Sequence, residues 1–414
     1  MIDNNNIPVG YKDTPVGIIP EEWEVYDLKE FAFLSKEKYE PSPLSLLHCV
    51  ELEHLSQGDG ILLGRTQVSL QKSTKNVFKK GDILFGKLRP YLRKYWMADF
   101  NGVCSSEIWV LKTNNKICIN EFLFRLVSSN RFIQRANVSI GSKMPRADWN
   151  FVSISPFALP PIAEQKKIAE ILCTWDDAIE KQSKLIEKLE FRKRGLMQRL
   201  LTGKTRLSGF TEPWKKIELG EIGSTYTGLS GKTKSDFENG NAKFISYVNV
   251  FSNEKVNIND FGTVKINSNE KQNIVRYGDI FFTVSSETPN EVGMSSVLLD
   301  AVENTYLNSF CFGYRLNDFS VLEPVFASYI LRTDKFRSSI ILLAQGSTRF
   351  NLSKNEVMKL QIELPSFSEQ QAIAEVLTSA EREIKNHRKK IEALRQQKRG
   401  LMQQLLTGKT RVKI

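Results

Sequence analysis

The chain has 414 residues and a mass of 47.3 kDa, more than one ordinary core accommodates, so two or three domains are expected. Hydrophobic residues at 41% and charged residues at 25% exclude a disordered or collagen-like chain. The net charge of +11, from 58 Lys and Arg against 47 Asp and Glu, favours a polyanionic partner, and no apolar run is long enough for a membrane-spanning helix.

Met1 to Asn6 carries neither a basic nor an apolar leader region, so a cytoplasmic location is expected. In the region of residues 20–155, short apolar runs such as Ile83-Leu84-Phe85 and Ile108-Trp109-Val110-Leu111 read as strands, and Asn120 to Phe132 reads as a helix. Between them, Gly86 to Trp96 interleaves the cations Lys87, Arg89, Arg93 and Lys94 with Tyr91, Tyr95 and Trp96. Cations pair with phosphates or guanine edges, and aromatic rings stack or pack on sugars. The same composition also suits a solvated strand edge protected against aggregation. Lys87, Arg89, Tyr91 and Arg93 are candidate DNA contacts, joined by Lys143 and Arg146 from the polar-basic loop Ser142 to Arg146.

Leu159 to Arg206 follows, and it repeats without a gap as Leu364 to Arg411, with 26 of 48 positions identical at an offset of 205. Prolines stand just ahead of the helical stretch in each copy, Gly203 and Gly408 sit at the expected C-terminal caps, and apolar residues recur in alternating steps of four and three. That is a heptad seam: Ile168, Leu172, Ile179, Ile186 and Leu189 in the first copy, and Ile373, Leu377, Ile384, Ile391 and Leu394 in the second. Gln182 and Lys193 in one copy, and His387 and Lys398 in the other, are polar seam layers. A helix from about Glu164 to Leu201 would be roughly 57 Å long. Antiparallel pairing sets Ile168 opposite Leu405 and His387 opposite Ile186.

The second variable region, residues 212–362, has the same texture, with strand-like runs at Ile280-Phe281-Phe282 and Val297-Leu298-Leu299 and a helical pattern from Pro324 to Lys335. Here Ser285, Ser286 and Glu287 replace the basic run, and Glu can accept from cytosine. Ser347 and Arg349 lie where the first copy has its polar-basic loop. The fold class is therefore α+β: two mixed α/β domains separated by two long helices that form an antiparallel coiled coil, with a pseudo-two-fold internal repeat.

Enzymatic chemistry is not apparent. Thr202-Gly203-Lys204-Thr205 and its repeat at Thr407 resemble a phosphate loop, but Gln198 and Gln403 occupy the position that needs a glycine, and a helix precedes each. The five cysteines form no CxxC pair and do not cluster with the three histidines at zinc-ligand spacing, so buried thiols and no metal are expected. No carboxylate cluster suggests acid–base work.

Taken together, Gly81-Asp82-Ile83-Leu84 leading to Leu88-Arg89-Pro90-Tyr91-Leu92, Ser105-Ser106-Glu107, Leu159-Pro160-Pro161 with Glu164-Gln165, and the duplicated Arg194 to Lys204 ending resemble the specificity subunit of type I restriction–modification enzymes over nearly the whole chain. The resemblance implies target-recognition domains at residues 1–158 and 209–363 and helical regions at 159–208 and 364–414, each domain reading half of a split DNA site. It also implies that the helices dock methyltransferase subunits, which carry S-adenosylmethionine, while a separate motor–nuclease subunit uses ATP; the chain itself would hold no cofactor and catalyse nothing. A stand-alone DNA-binding protein, a specificity module of another phage-defence methyltransferase, or a nuclease in its own right are the alternatives.

Overall fold

The computed structural model describes residues 7–138 and 144–414. The chain divides into two compact units, residues 1–184 with 389–414, and residues 185–388. Two long helices, Ile162–Leu200 and Phe367–Leu406, each contribute one stretch to either unit. Gly203 and Gly408, just past their ends, adopt φ of 68° and 69°, the left-handed conformation in which glycine stops a helix without a Cβ penalty.

In the first unit, strands Tyr95–Met97, Ile83–Gly86, Ile108–Thr113 and Ala32–Leu34 form an antiparallel sheet in that order. A second sheet orders Lys38–Tyr39, Lys75–Phe78, Gly102–Cys104, His48–Val50 and Thr66–Gln67, with one parallel pair, Gly102–Cys104 beside His48–Val50. The strand Ile83–Gly86 is buried on both faces, which explains its continuous apolar run. Leu84 faces a cluster with Phe78, Trp96 and Ile108. Ile83 and Phe85 face a larger core with Phe122 and Phe132, which also takes in Ile168, Leu172 and Leu405 of the long helices.

The second unit repeats this plan. Ser295–Val297, Ile280–Thr283, Cys311–Leu316 and Gly223–Thr227 follow the same strand order. Ala242–Ile245 pairs in parallel with Thr305–Leu307 and antiparallel with Phe261–Val264. Phe281 faces one cluster; Ile280 and Phe282 face the other, which includes Leu200, Ile373 and Leu377. The repeat, clear in sequence only in the helices, thus extends to the sheets. Each short helical pattern is broken in two. Ser129 ends Asn120–Ser128 and caps Asn130–Ala136 by accepting from the Phe132 amide, and Thr333 does the same for Asp334–Leu342. A hydroxyl that caps the next turn competes with continued helix.

The repeated motifs hold each unit closed. Glu164 is fully buried and accepts from Trp23 Nε1 at 3.0 Å and from Arg411 Nε and Nη2 at 2.8 and 3.0 Å. Beside it, Gln165 donates to the Pro160 and Ile117 carbonyls and accepts from the Ile119 amide. In the second unit Glu369 takes Arg206 Nε and Nη2, both at 2.6 Å, and Gln370 donates to Pro365 and Val321 and accepts from Glu323. The Gly-Lys-Thr-Arg endings that resemble phosphate loops therefore deliver an arginine to a buried carboxylate.

Of the heptad positions, Ile168, Leu172, Leu189, Ile373, Leu377, Ile384 and Ile391 are buried, and Ile179, Ile186 and Leu394 are half-buried. The lysines among them are paired. Lys398 meets Asp176, which also takes Arg125, and Lys193 meets Glu381 at 2.8 Å, which also takes Lys255 at 2.6 Å.

Cys49, Cys104, Cys118 and Cys311 are buried, but Cys173 is exposed because it faces outward from the first long helix, a departure from the expectation that all five thiols are interior. Burial pushes the Cys49 and Cys311 thiols up to about 12, which keeps them protonated and unreactive. Among the described residues, no group of three or more His, Cys, Asp and Glu side chains could hold a metal, and no helix is long and apolar enough to cross a membrane.

Candidate nucleic-acid interface

In the first unit, the segment after strand Ile83–Gly86 is stitched to two others by backbone bonds. The Lys87 amide donates to Glu107 O at 2.9 Å, the Ala147 amide to Lys87 O at 2.8 Å, and the Arg89 amide to Pro145 O at 2.8 Å. Arg89 and Arg93 both adopt left-handed backbone, φ 52° and 50°, on either side of the 3-10 turn Pro90–Leu92. Each costs about 1 kcal/mol in a residue with a Cβ. The turn presents Tyr91, which is 52% exposed. Backbone strain held in place at the exposed Arg89 marks this turn as more than a connection.

The side chains of Lys87, Arg89 and Tyr91 make no hydrogen bond or ion pair with any described residue. Arg93 donates to Asn130 Oδ1 at 2.6 Å, and Arg146 pairs with Glu107 at 3.0 Å. Lys143 lies outside the described residues. Two aromatics of the basic run do not belong to the surface: Tyr95 and Trp96 are each only 5% exposed, because the strand Tyr95–Met97 carries them into the core. The Gly81-Asp82 and Gly278-Asp279 pairs are structural as well. Each aspartate accepts from the amide three residues earlier, Lys79 or Arg276, to close the turn into the central strand.

The second unit repeats the stitching. The Val284 amide donates to Phe310 O and the Leu352 amide to Val284 O, both at 2.9 Å. Val284 thus corresponds to Lys87, Phe310 to Glu107 and Leu352 to Ala147. Strand Ser285–Ser286 pairs antiparallel with Phe350–Asn351, as Leu88 bridges Arg146. Ser285, Ser286, Glu287 and Arg349 line one cleft of 380 Å³, while Ser347 is exposed outside it. Tyr247, Phe251, Glu291 and Phe310 complete its walls.

The model of the family described as "Type I restriction modification DNA specificity domain" matches residues 20–190 and 211–396. The chain belongs to this family. Its specificity subunit relatives include the type I restriction enzyme MjaVIII specificity subunit of Methanocaldococcus jannaschii, 25% identical over 95% of this chain and 94% of that one. The EcoDI specificity subunit of Escherichia coli is 30% identical over 42% of this chain and 39% of its own length. Among solved structures, a chain from a study of complex assembly in a type I R-M system aligns with a TM-score of 0.65 at 20% identity, covering 95% of this chain and 99% of that one. The HsdS subunit of Thermoanaerobacter tengcongensis aligns with a TM-score of 0.52 at 20% identity over 95% and 98%.

Sequence reasoning about this specificity subunit missed Tyr247, Phe251 and Phe310. Tyr247 and Phe251 are four residues apart and Phe310 precedes Phe312 and Tyr314, and only the strand order brings the three beside Ser286 and Arg349. The signal was available at Phe310 alone, since it directly precedes a strand, as Glu107 does in Ser105-Ser106-Glu107.

Proposed function

We propose that this specificity subunit reads a bipartite, asymmetric DNA site, one half with residues 1–158 and the other with residues 209–363, and catalyses nothing itself. The observation that carries the reading is one backbone scaffold displaying different side chains twice: Lys87, Arg89 and Glu107 in one unit, and Val284, Ser286 and Phe310 in the other. A shared frame with exchanged contacts suits two recognition sites of different sequence. Residues 159–208 and 364–414 act as spacer helices in an antiparallel coiled coil. The pairs Lys398–Asp176 and Lys193–Glu381 support that pairing, since both fall within one residue of the register that sets Ile168 opposite Leu405.

The partners are double-stranded DNA, methyltransferase subunits that bring S-adenosylmethionine, and motor–nuclease subunits that use ATP. The helices carry the methyltransferase, on outward positions such as Leu185 and Phe191, 38% and 73% exposed. Leu185→Asp should reduce co-purification of the methyltransferase while leaving weak DNA binding by the free chain; undiminished assembly would leave the helices as a spacer only.

Arg89, whose side chain has no hydrogen-bond or ion-pair partner among the described residues, would pair with a guanine edge, a contact worth roughly 1–3 kcal/mol of discrimination. Arg89→Ala in the assembled complex should relax one half-site by about 10- to 100-fold and leave the other unchanged, read by methylation of a randomised DNA library. Equal loss on both halves and on random DNA would assign Arg89 to phosphate instead.

A further inference from the structure

We propose that the cleft of the second unit reads base-pair edges in the major groove, with Phe310, Glu287 and Arg349 as its specificity-determining residues; this rests on the DNA-reading function above and deepens it. The cleft is a built feature. Tyr247 and Phe251 stack at 5.8 Å with their planes 18° apart on the helix Tyr247–Ser252, and the Tyr247 hydroxyl donates to Ser285 O at 2.9 Å, fixing the ring against the floor. Across from them, Phe310 is 61% exposed, yet its loop is held rigid: its amide donates to Asn308 Oδ1 at 2.8 Å, and Asn308 Nδ2 donates to Ile245 O at 3.0 Å. An exposed aromatic on a fixed loop loses little entropy on contact.

The charges choose the ligand. Two carboxylates, Glu287 and Glu291, face one cation, Arg349, so the lining repels phosphate. Glu291 is already used, accepting from Ser286 Oγ at 3.3 Å. The side chains of Glu287 and Arg349 make no hydrogen bond or ion pair with any described residue. A free carboxylate accepts from the exocyclic amino group of cytosine or adenine, a free guanidinium donates to guanine O6 and N7, and an aromatic ring packs on the thymine methyl. Base edges supply partners for all three groups, whereas the DNA backbone, which offers only acceptors, supplies none for the carboxylate. The corresponding frame in the first unit carries Arg89 where this one has Ser286, and Glu107 where it has Phe310. The bases read by the two units should therefore differ.

The test uses the full chain co-expressed with its methyltransferase subunits and a DNA library randomised in both half-sites, with Phe310→Ala, Glu287→Gln and Arg349→Gln compared with the parent. Each variant should lose about 10- to 100-fold discrimination at one or two positions of the second half-site. The first half-site should stay sharp, which reports intact folding and assembly, and binding to random DNA should keep its salt dependence. An unchanged second half-site in all three variants overturns the proposal while bipartite reading stands. Uniform weakening on every sequence overturns it in favour of backbone contact. A parent complex with no sequence preference refutes the DNA-reading function itself, and this proposal with it.

Discussion

A chain truncated after Ser208 is expected to assemble as a homodimer and to direct methylation to a two-fold symmetric site. Two of the polar contacts made by the second repeat have counterparts of the same chemistry in the first, whereas the pairs Arg192–Glu383 and Arg388–Glu190 do not, since Ala178 and Ser183 stand 205 residues before Glu383 and Arg388. Lys193 pairs with Glu381, and 205 residues earlier stands Asp176; Arg206 clamps Glu369, and 205 residues earlier stands Glu164. A second copy of residues 1–208 therefore offers Asp176 to Lys193 and Glu164 to Arg206. The apolar layers match too, Ile168 with Ile373, Leu172 with Leu377, Ile186 with Ile391 and Leu200 with Leu405. The poor matches are Trp175 against Ala380 and Gln182 against His387. A second Trp175 in the place of Ala380 adds bulk, and overpacking costs roughly 1–3 kcal/mol. That is affordable against the layers retained. A two-fold protein imposes a two-fold site, built from two copies of the first half-site. Mass measurement of the fragment and methylation mapping in the presence of the methyltransferase check this. A monomer, or methylation still at the asymmetric parental site, would show that the helices are not interchangeable.

Glu164→Ala is expected to be the most damaging single substitution at the repeated motifs. It removes a fully buried carboxylate, leaves Trp23 Nε1 without an acceptor and leaves the Arg411 guanidinium with Glu22 as its remaining acceptor. Breaking a buried pair costs about 3–5 kcal/mol, but Arg411 is one-third exposed and water can reach it, so about 3 kcal/mol is expected. For a unit of this size that lowers the melting temperature by about 6–12 °C. Glu369→Ala should cost less. Among the described residues its one side-chain partner is Arg206, because Trp214 Nε1, unlike Trp23 Nε1, is buried there with no hydrogen-bond partner. Calorimetry of the two variants decides: equal shifts would mean that the Trp23 contact contributes nothing.

The long helices were legible because period and caps are local properties: the heptads, Pro161 and Gly203 need no tertiary knowledge, and the expected bounds differ from Ile162–Leu200 by a residue or two. The correspondence of the sheets was not legible, since strand order is non-local and the two variable regions share little beyond Gly81-Asp82-Ile83 and Gly278-Asp279-Ile280. Composition misled at Tyr95 and Trp96. An alternating cation–aromatic run looks the same whether its rings face solvent or, as here, follow the strand into the core. The left-handed arginines at 89 and 93 had no sequence signal at all, because neither is glycine, asparagine or aspartate.

The most direct measurement is a genome-wide map of DNA methylation in the host with and without this gene. The account predicts methylation at one bipartite, asymmetric sequence with a fixed spacer, lost on deletion and restored by the intact chain. An unchanged map, or loss of methylation at a short uninterrupted palindrome, would contradict it.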